Sequence, residues 1–350
     1  MPSLRLAVDA RVIAEDARGI GRYARAVLRR LVERDDVELT LLADPPFPRR
    51  FRAAFGAALG SGKFAIRGRV PRDLDLIWHP ANGTFFDSRL ASVATIHDAV
   101  PFRYPDPDRK RRRHAQAPFL RSALSAARVI AVSEFDRGEV QKFFNVPSEK
   151  IEVIPHGVDA SFSPGAAEPL PEILKQRAFL LFVGDPIGEP RKNFALLYQA
   201  YRRAWPDADG PPLAVAGARA PELAGVVHAG NLNDDLVLEG AHVLRACYRG
   251  ALALTMPSYH ETFGMPMLEA MACATPVVAS RASALPEVAG EAALYAPPDD
   301  ADAWAAALRR IVEDRPLRER LRAEGLQRAR EFTWDESVRR HLELFRALAK

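Results

Sequence analysis

The 350-residue sequence predicts an α/β protein built from two doubly wound, Rossmann-like domains. Three observations lead there. Short β-branched runs alternate with longer helical patterns along the chain, which implies βαβ units and parallel sheets. The length exceeds what one hydrophobic core usually serves. A stretch rich in Pro, Ser, Ala and Gly over 161–172 separates two such alternating halves, as a linker would.

Taken in order, strands are expected over 4–9, 37–42, 76–79, 93–97, 128–132 and 150–154, with helices over 21–34, 109–127 and 134–144. The second half offers strands over 179–184, 212–216, 251–256 and 276–279, and helices over 194–205, 266–273 and 300–313. The boundary is placed near Gln176, giving domains over 1–176 and 177–333. Beyond Asp335, Val338, Leu342 and Phe345 recur at helical spacing, so 334–350 reads as a terminal amphipathic helix. Open parallel sheets bind ligands outside the carboxyl ends of their strands, so the chemistry is expected in the loops that follow them.

Composition narrows the class. Hydrophobic residues at 48% and charged residues at 27% fit an ordinary globular protein. Two cysteines, Cys247 and Cys273, are too few for a disulfide framework and favour a reducing compartment. The amino terminus enters a strand pattern without a signal-peptide apolar block, and no apolar run reaches the roughly 18 residues of a membrane span. The expectation is a cytoplasmic protein. A net charge of +4 suits anionic partners, and Arg109, Lys110, Arg111, Arg112 and Arg113 are consecutive. Nucleic acid is not expected, because no aromatic-studded RNA motif, zinc spacing or basic zipper accompanies the run. The run reads either as a solvated helix face or as a dock for an acidic membrane surface or a polyprenyl diphosphate-linked acceptor.

The most informative segment is Met256-Pro-Ser-Tyr-His-Glu-Thr-Phe-Gly-Met-Pro-Met-Leu-Glu269, which follows a buried strand and opens a helix. Gly264 permits an unusual turn, and Pro266 suits the first helical position, where a missing N–H costs nothing. Free amides at a helix start, with the macrodipole behind them, favour a phosphate. Glu261 precedes that helix and Glu269 falls in its first turn on this reading; each can hold a pair of sugar hydroxyls, or serve merely as a dipole partner. Upstream, the strand over 179–184 runs into Asp185-Pro-Ile-Gly-Glu-Pro-Arg-Lys-Asn193, with Asn193 as N-cap of the next helix. Arg191 and Lys192 lie in that loop as candidate clamps for a leaving diphosphate, or as two solvated charges. In the first half, Gly19-Ile-Gly-Arg-Tyr23 follows the first strand but has no third glycine for a dinucleotide fingerprint. His97-Asp98 end a strand at the mouth of a parallel sheet, where histidine is either structural or catalytic.

These strings together, with Leu268-Glu-Ala-Met-Ala-Cys273, Thr275-Pro-Val-Val-Ala-Ser280 and Leu285-Pro-Glu-Val-Ala-Gly290, closely resemble glycosyltransferase family 4 over nearly the whole chain. The resemblance implies the GT-B fold, two Rossmann-like domains facing across a cleft, with the terminal helix crossing back to the amino-terminal domain. It makes 1–176 the acceptor side and 177–333 the nucleotide-sugar side. It implies that Glu261 faces the donor sugar and Glu269 holds the ribose diol. Amides at Gly264 and Met265, next to Phe263, would meet the diphosphate or sugar. Arg191 and Lys192 would grip the diphosphate, Gly21 would approach the donor phosphates, and His97 would orient the transferred sugar. Ser133 and Pro155-His-Gly-Val-Asp159 match further family strings and are read as structural first. The chain departs from the family at Thr262 and Ala274, where glycine is usual, and at His156, where asparagine is common. Its Asp185–Asn193 turn is also about two residues longer than the usual form.

The resemblance further implies a retaining, metal-independent hexosyltransferase, with front-face attack in which the leaving phosphate takes the acceptor's proton. No metal site is read from the sequence: Asp106-Pro-Asp108 is ringed by prolines, and Asp234-Asp235 and Asp299-Asp300 are isolated. No cofactor is expected beyond the donor substrate. The region around His97 resembles bacterial mannosyl- and rhamnosyltransferases of surface polysaccharide synthesis. That likeness favours GDP-mannose as donor and a glycan or polyprenyl diphosphate-linked acceptor, with a UDP- or dTDP-sugar as the alternative. A GT-B nucleotide-sugar hydrolase or epimerase, a non-enzymatic binder and an NAD-dependent oxidoreductase are the competing readings, the last lacking a complete G-x-G-x-x-G.

Overall fold

Continuous apolar runs such as Leu180–Val183 and Ala253–Met256 become strands buried on both faces, the mark of parallel sheets covered by helices. The structure is a computed structural model and describes residues 3–11, 19–43, 55–60, 63–83, 86–166, 168–175, 177–230 and 242–349. Gln176 and Asp234-Asp235 lie outside the described residues. Seven parallel strands form the first sheet: β1 (Leu4–Asp9), β2 (Val37–Leu42), β3 (Phe64–Arg67), β4 (Leu76–His79), β5 (Ala91–Ile96), β6 (Arg128–Ala131) and β7 (Ile151–Val153). They are ordered β3-β2-β1-β4-β5-β6-β7. Six form the second: β8 (Leu180–Val183), β9 (Leu213–Ala216), β10 (Val226–Gly230), β11 (Ala253–Met256), β12 (Val277–Ser280) and β13 (Leu294–Ala296). Their order is β10-β9-β8-β11-β12-β13. The winding reverses between β1 and β4 in one sheet and between β8 and β11 in the other, which fixes where each sheet can take a ligand.

Three strands that the sequence pattern misses, β3, β10 and β13, are all sheet edges. An edge strand is short and exposed on one side, so it carries less of the apolar signal that marks β1 or β11. The helix Arg315–Ala329 is missed for a related reason. Only Leu317, Leu321, Gly325 and Ala329 are buried, and charge covers the rest, with i,i+4 pairs at Arg315–Glu319 (2.7 Å) and Arg320–Glu324 (2.9 Å).

The chain divides into two units, Met1–Gly157 with Trp334–Lys350, and Val158–Thr333. The division therefore falls ahead of the Pro- and Ser-rich stretch, not at its end near residue 176. That stretch is held within the second unit: Arg245 Nε donates to Glu168 (2.8 Å), Arg249 Nε donates to the Ser163 carbonyl (2.8 Å), and Phe162 packs edge-on to Tyr248. A linker composition describes low regular structure, not freedom.

The terminal helix Trp334–Leu348 belongs to the first unit. It buries Trp334, Val338, His341, Leu342 and Phe345, and packs on the helix Gly19–Val32. Arg30 pairs with Asp335 at 2.6 Å, and Phe345 meets Trp78. Among the described residues no helix is long and apolar enough to cross a membrane.

Candidate functional site

At the switch point of the second sheet, two loops meet. The loop after β8 carries Arg191 and Lys192 in a 3-10 turn, and the loop after β11 carries Ser258 and Glu261. Lys192 Nζ lies 3.1 Å from Glu261 Oε1, and Arg191 Nη1 lies 3.3 Å from Oε2. Ser258 Oγ donates to Oε1 at 2.9 Å, and the Glu261 amide donates to Ser283 Oγ at 2.9 Å. Burial alone would raise the Glu261 pKa. The charges of Lys192 and Arg191, with the Ser258 hydroxyl, override it and hold the carboxylate below its ordinary value.

The loops are fastened to each other by backbone and amide contacts. Asn193 sits at the helix start with φ 57° and ψ 37°, but its side chain does not cap the helix. The N-cap role read from sequence is corrected: Asn193 Nδ2 instead donates to the carbonyls of Pro257 (3.0 Å) and Pro298 (2.8 Å). The left-handed backbone turns the side chain away from the helix amides, and asparagine tolerates that conformation well. The Tyr259 amide donates to the Arg191 carbonyl at 2.9 Å. Gly184, at φ 142°, lets Lys192 lie across the end of β8, since a Cβ there would stand 2.5 Å from Lys192 Cδ. Earlier in that loop Asp185 accepts from the amides of Ile187 and Gly188 and pairs with Arg219. Arg219 and those amides hold its pKa down at about 2.

Gly264 caps the helix Met265–Ala272 with φ 95°, and a Cβ there would meet Leu285 at 2.9 Å. Pro266 has no N–H, and the Met267 amide turns back onto the Gly264 carbonyl at 3.0 Å. Because the helix begins at Met265, one residue earlier than the sequence suggests, Glu269 falls in its second turn, and the first turn holds no acid. The placement of Glu269 in the first turn is therefore corrected, and with it the dipole-partner reading. Its carboxylate is 1% exposed and accepts a hydrogen bond from the Tyr248 hydroxyl at 3.0 Å. Phe263 turns its ring into the core against Phe332. Sequence reasoning missed Tyr248 and Ser283. Both are distant in sequence from the acids they hold, so no local pattern marks them.

The first unit places its candidates differently. Gly21 is buried in the opening turn of the helix Gly19–Val32. His97 follows β5 and is 6% exposed; its Nε2 donates to the Pro80 carbonyl at 2.8 Å, while its amide donates to Asn82 Oδ1. The ring stacks on His156 at 5.6 Å and meets Tyr23 edge-on at 4.7 Å. Asp98 accepts from the Val100 amide and from Asn82 Nδ2. Ser133 caps the helix Glu134–Phe144. Behind this cluster Trp78 Nε1 donates to Thr95 Oγ1 (3.0 Å), which lies 3.1 Å from the Tyr23 hydroxyl. That hydroxyl is 2.7 Å from His341 Nε2, and His341 Nδ1 is 2.7 Å from the Ser337 carbonyl. A carbonyl only accepts, so Nδ1 carries the proton and Tyr23 donates to Nε2. Burial, with like charge from Arg340 and His97, pushes the His341 pKa down to about 4 against a helping bond from Ser337. Burial likewise drives His156 well below the usual histidine value.

At this sheet's own switch point Asp9, ending β1, pairs with Arg11 (2.6 Å) and faces His79 at the end of β4 (3.5 Å). Among the described residues no group of three or more His, Cys, Asp or Glu is placed to hold a metal ion.

Comparisons with known proteins follow this division. The family model described as "Glycosyltransferase Family 4" matches residues 17–162, and that described as "Glycosyl transferases group 1" matches residues 177–314. The chain is 31% identical to the O-antigen chain mannosyltransferase B of Escherichia coli, over 94% of this chain and 96% of that protein. It is also 31% identical to the O-antigen chain mannosyltransferase RfbU of Salmonella typhimurium, over 63% of this chain and 60% of that one. Among solved structures, the sucrose-phosphate synthase of Thermosynechococcus elongatus superposes with a TM-score of 0.71 at 20% identity, covering 99% of each chain. WaaG, a glycosyltransferase involved in lipopolysaccharide biosynthesis, superposes with a TM-score of 0.69 at 14% identity, covering 98% of this chain and 99% of its own.

Proposed function

The chain belongs to glycosyltransferase family 4, with the GT-B fold, and from that premise we propose that it transfers mannose from GDP-mannose, with retention and without a metal ion. The acceptor on this reading is a glycan or polyprenyl diphosphate-linked glycan of a surface polysaccharide, met in the cytoplasm at the inner face of the membrane. The observation that carries the reading is the meeting of Lys192 and Arg191 with Glu261 beside the helix start at Gly264.

Two cations and two backbone amides, at Gly264 and Met265, can balance the charge that develops on a departing diphosphate. In the donor complex the diphosphate competes with Glu261 for Lys192 and Arg191, which frees the carboxylate for the sugar hydroxyls. Glu269, braced by Tyr248, takes the ribose diol. Phe263 contributes through its backbone, because its ring is turned inward. From the first unit, Gly21 contributes an amide to the phosphates, and His97 orients the transferred sugar. The leaving phosphate accepts the acceptor's proton, so no carboxylate forms a covalent sugar intermediate. Mannose is favoured because both O-antigen relatives bear that activity in their names.

Ligand-induced thermal shift over a panel of nucleotide sugars tests the donor, since a ligand that binds the folded state raises its apparent stability. GDP and GDP-mannose should raise Tm while UDP and dTDP compounds do not; a response to UDP alone overturns the choice. Activity that vanishes with EDTA and returns with manganese overturns the metal-independent step.

A further inference from the structure

The first unit carries a cationic hollow that the donor site does not use. It measures about 780 Å³ and is walled on one side by the helix Arg109–Ser125. Lys110, Arg113, His114, Ala117, Pro118 and Arg121 line it, a spacing of i, i+3, i+4, i+7, i+8 and i+11. That spacing marks one face of the helix; the buried residues Ser122 and Ala123 lie off it, and three of its six positions are cationic. The spacing also divides the basic run: Lys110 and Arg113 face the hollow, whereas Arg109, Arg111 and Arg112 do not line it.

Two further segments complete the wall. Gly83, at φ 70°, brings its loop so close to the helix that a Cβ would stand 2.9 Å from Pro118 Cβ. Arg11, just beyond β1, is oriented by its pair with Asp9 (2.6 Å) and by the Phe86 ring 4.4 Å beneath its guanidinium. Arg121 is paired with the exposed Asp87. Among the described residues, neither Lys110 nor Arg113 has a carboxylate partner. Cations at a helix start oppose the macrodipole, so these charges do not stabilise the helix that bears them. Lys110, Arg113, His114 and Arg121 from one helix and Arg11 from just beyond β1, set around one concave space, suit a ligand of at least two negative charges.

We propose that this hollow binds the phosphate or diphosphate group of a ligand other than the sugar donor. Calling that ligand the acceptor rests on the transferase reading above; the anion site itself does not. Its volume admits a diphosphate together with part of the group attached to it.

The test is calorimetric titration of inorganic pyrophosphate into the full chain, saturated with the nucleoside diphosphate that the donor panel selects. Wild type should still bind pyrophosphate. Lys110→Gln/Arg113→Gln should weaken that binding about tenfold or more, with nucleotide affinity unchanged. Arg109→Gln/Arg111→Gln removes the same charge from outside the hollow and should leave binding within about twofold. A parallel sedimentation arm uses phosphatidylglycerol and phosphatidylcholine vesicles. Binding to the former that pyrophosphate displaces assigns the phosphate to a lipid headgroup; pyrophosphate binding without vesicle binding assigns it to the acceptor's own diphosphate. Absence of both, or equal weakening by the two double variants, overturns the proposal. A panel with no nucleotide response would defeat the donor reading, and pyrophosphate titrated alone against the same variants would still decide this one.

Discussion

The two sheets are wound alike, yet their switch points hold opposite arrangements. Between β8 and β11, cations follow the first strand and an acid follows the second, with Lys192 and Arg191 meeting Glu261 at 3.1 and 3.3 Å. Between β1 and β4, the acid ends the first strand: Asp9 is wholly buried, tied to Arg11 at 2.6 Å and facing His79 at 3.5 Å. Burial would raise the Asp9 pKa, and His79 and Arg11 lower it below the ordinary value instead. A carboxylate thus stays ionised at both mouths, and beside the second a helix start is capped by Gly264. A shared scaffold therefore supplies two anchored charge pairs, and the loops that follow the strands set the order of acid and cation at each.

The largest test of that contrast is Lys192→Gln, which keeps a hydrogen-bond donor for Glu261 and removes the charge. Transferase kcat/KM should fall roughly 100- to 1000-fold with Tm little changed, the scale of deleting one preorganised electrostatic contact. His97→Ala should lower kcat/KM through its sugar-orienting role and, unlike Lys192→Gln, should also lower stability by about 1–3 kcal/mol, because its ring and Nε2 are buried against Tyr23, His156 and Pro80. Steady-state kinetics beside thermal melts would separate the two. A Lys192→Gln enzyme within tenfold of wild type would end the claim that the second mouth carries the chemistry.

The difference also governs what a sequence reader can find. The second mouth is spelled out in two contiguous strings, Asp185–Asn193 and Met256–Glu269, because each loop runs directly from a central strand to the next α-helix. The first is assembled from residues 9, 11, 23, 79, 97, 156 and 341, which only the completed fold brings together. The central strands were legible as apolar runs. The edges β3, β10 and β13 were not, since half-exposed strands of three to five residues lack that pattern. Asn193 shows the limit at a single residue: its type announced a cap, while its backbone angles directed the amide to Pro257 and Pro298.

Acid should expose the contrast next. His341 titrates in the fold near 4, below its ordinary 6.5, so the unfolded chain takes up a proton that the folded one refuses. Its contribution is complete above pH 6.5 and is lost as pH falls from there to about 4, worth about 3 kcal/mol over that window. Glu261 acts lower. Its folded pKa lies beneath 4.5, so the stability it lends holds above that value and declines only as pH drops further. Urea unfolding across this range should show His341→Gln flattening the upper slope and Glu261→Gln the lower one. The four tryptophans divide evenly as probes, Trp78 and Trp334 in the first unit and Trp205 and Trp304 in the second. An unchanged upper slope in His341→Gln would remove the buried histidine as its source.

Backbone strain gives the smallest and most selective comparison. Among the described residues, the first unit has a single non-glycine residue at positive φ, Asn145, at the end of a helix where asparagine is at ease. The second has Asn193, Ala208, Ala274 and Ser283. Asn193 and Ser283 are tied to the site by hydrogen bonds, so their strain is bound up with where Glu261 points. Ala274, at φ 60°, lies beyond the helix that holds Glu269, and its amide simply returns to Met271. A Cβ in the left-handed region costs about 1–2 kcal/mol, of which the greater freedom of an unfolded glycine gives back part. Ala274→Gly should therefore raise stability by about 0.5–1 kcal/mol, or about 1–4 °C in Tm, with kcat/KM unchanged. A variant that gains stability and loses activity would show that the strain at Ala274, like that at Asn193 and Ser283, shapes the mouth of the second sheet.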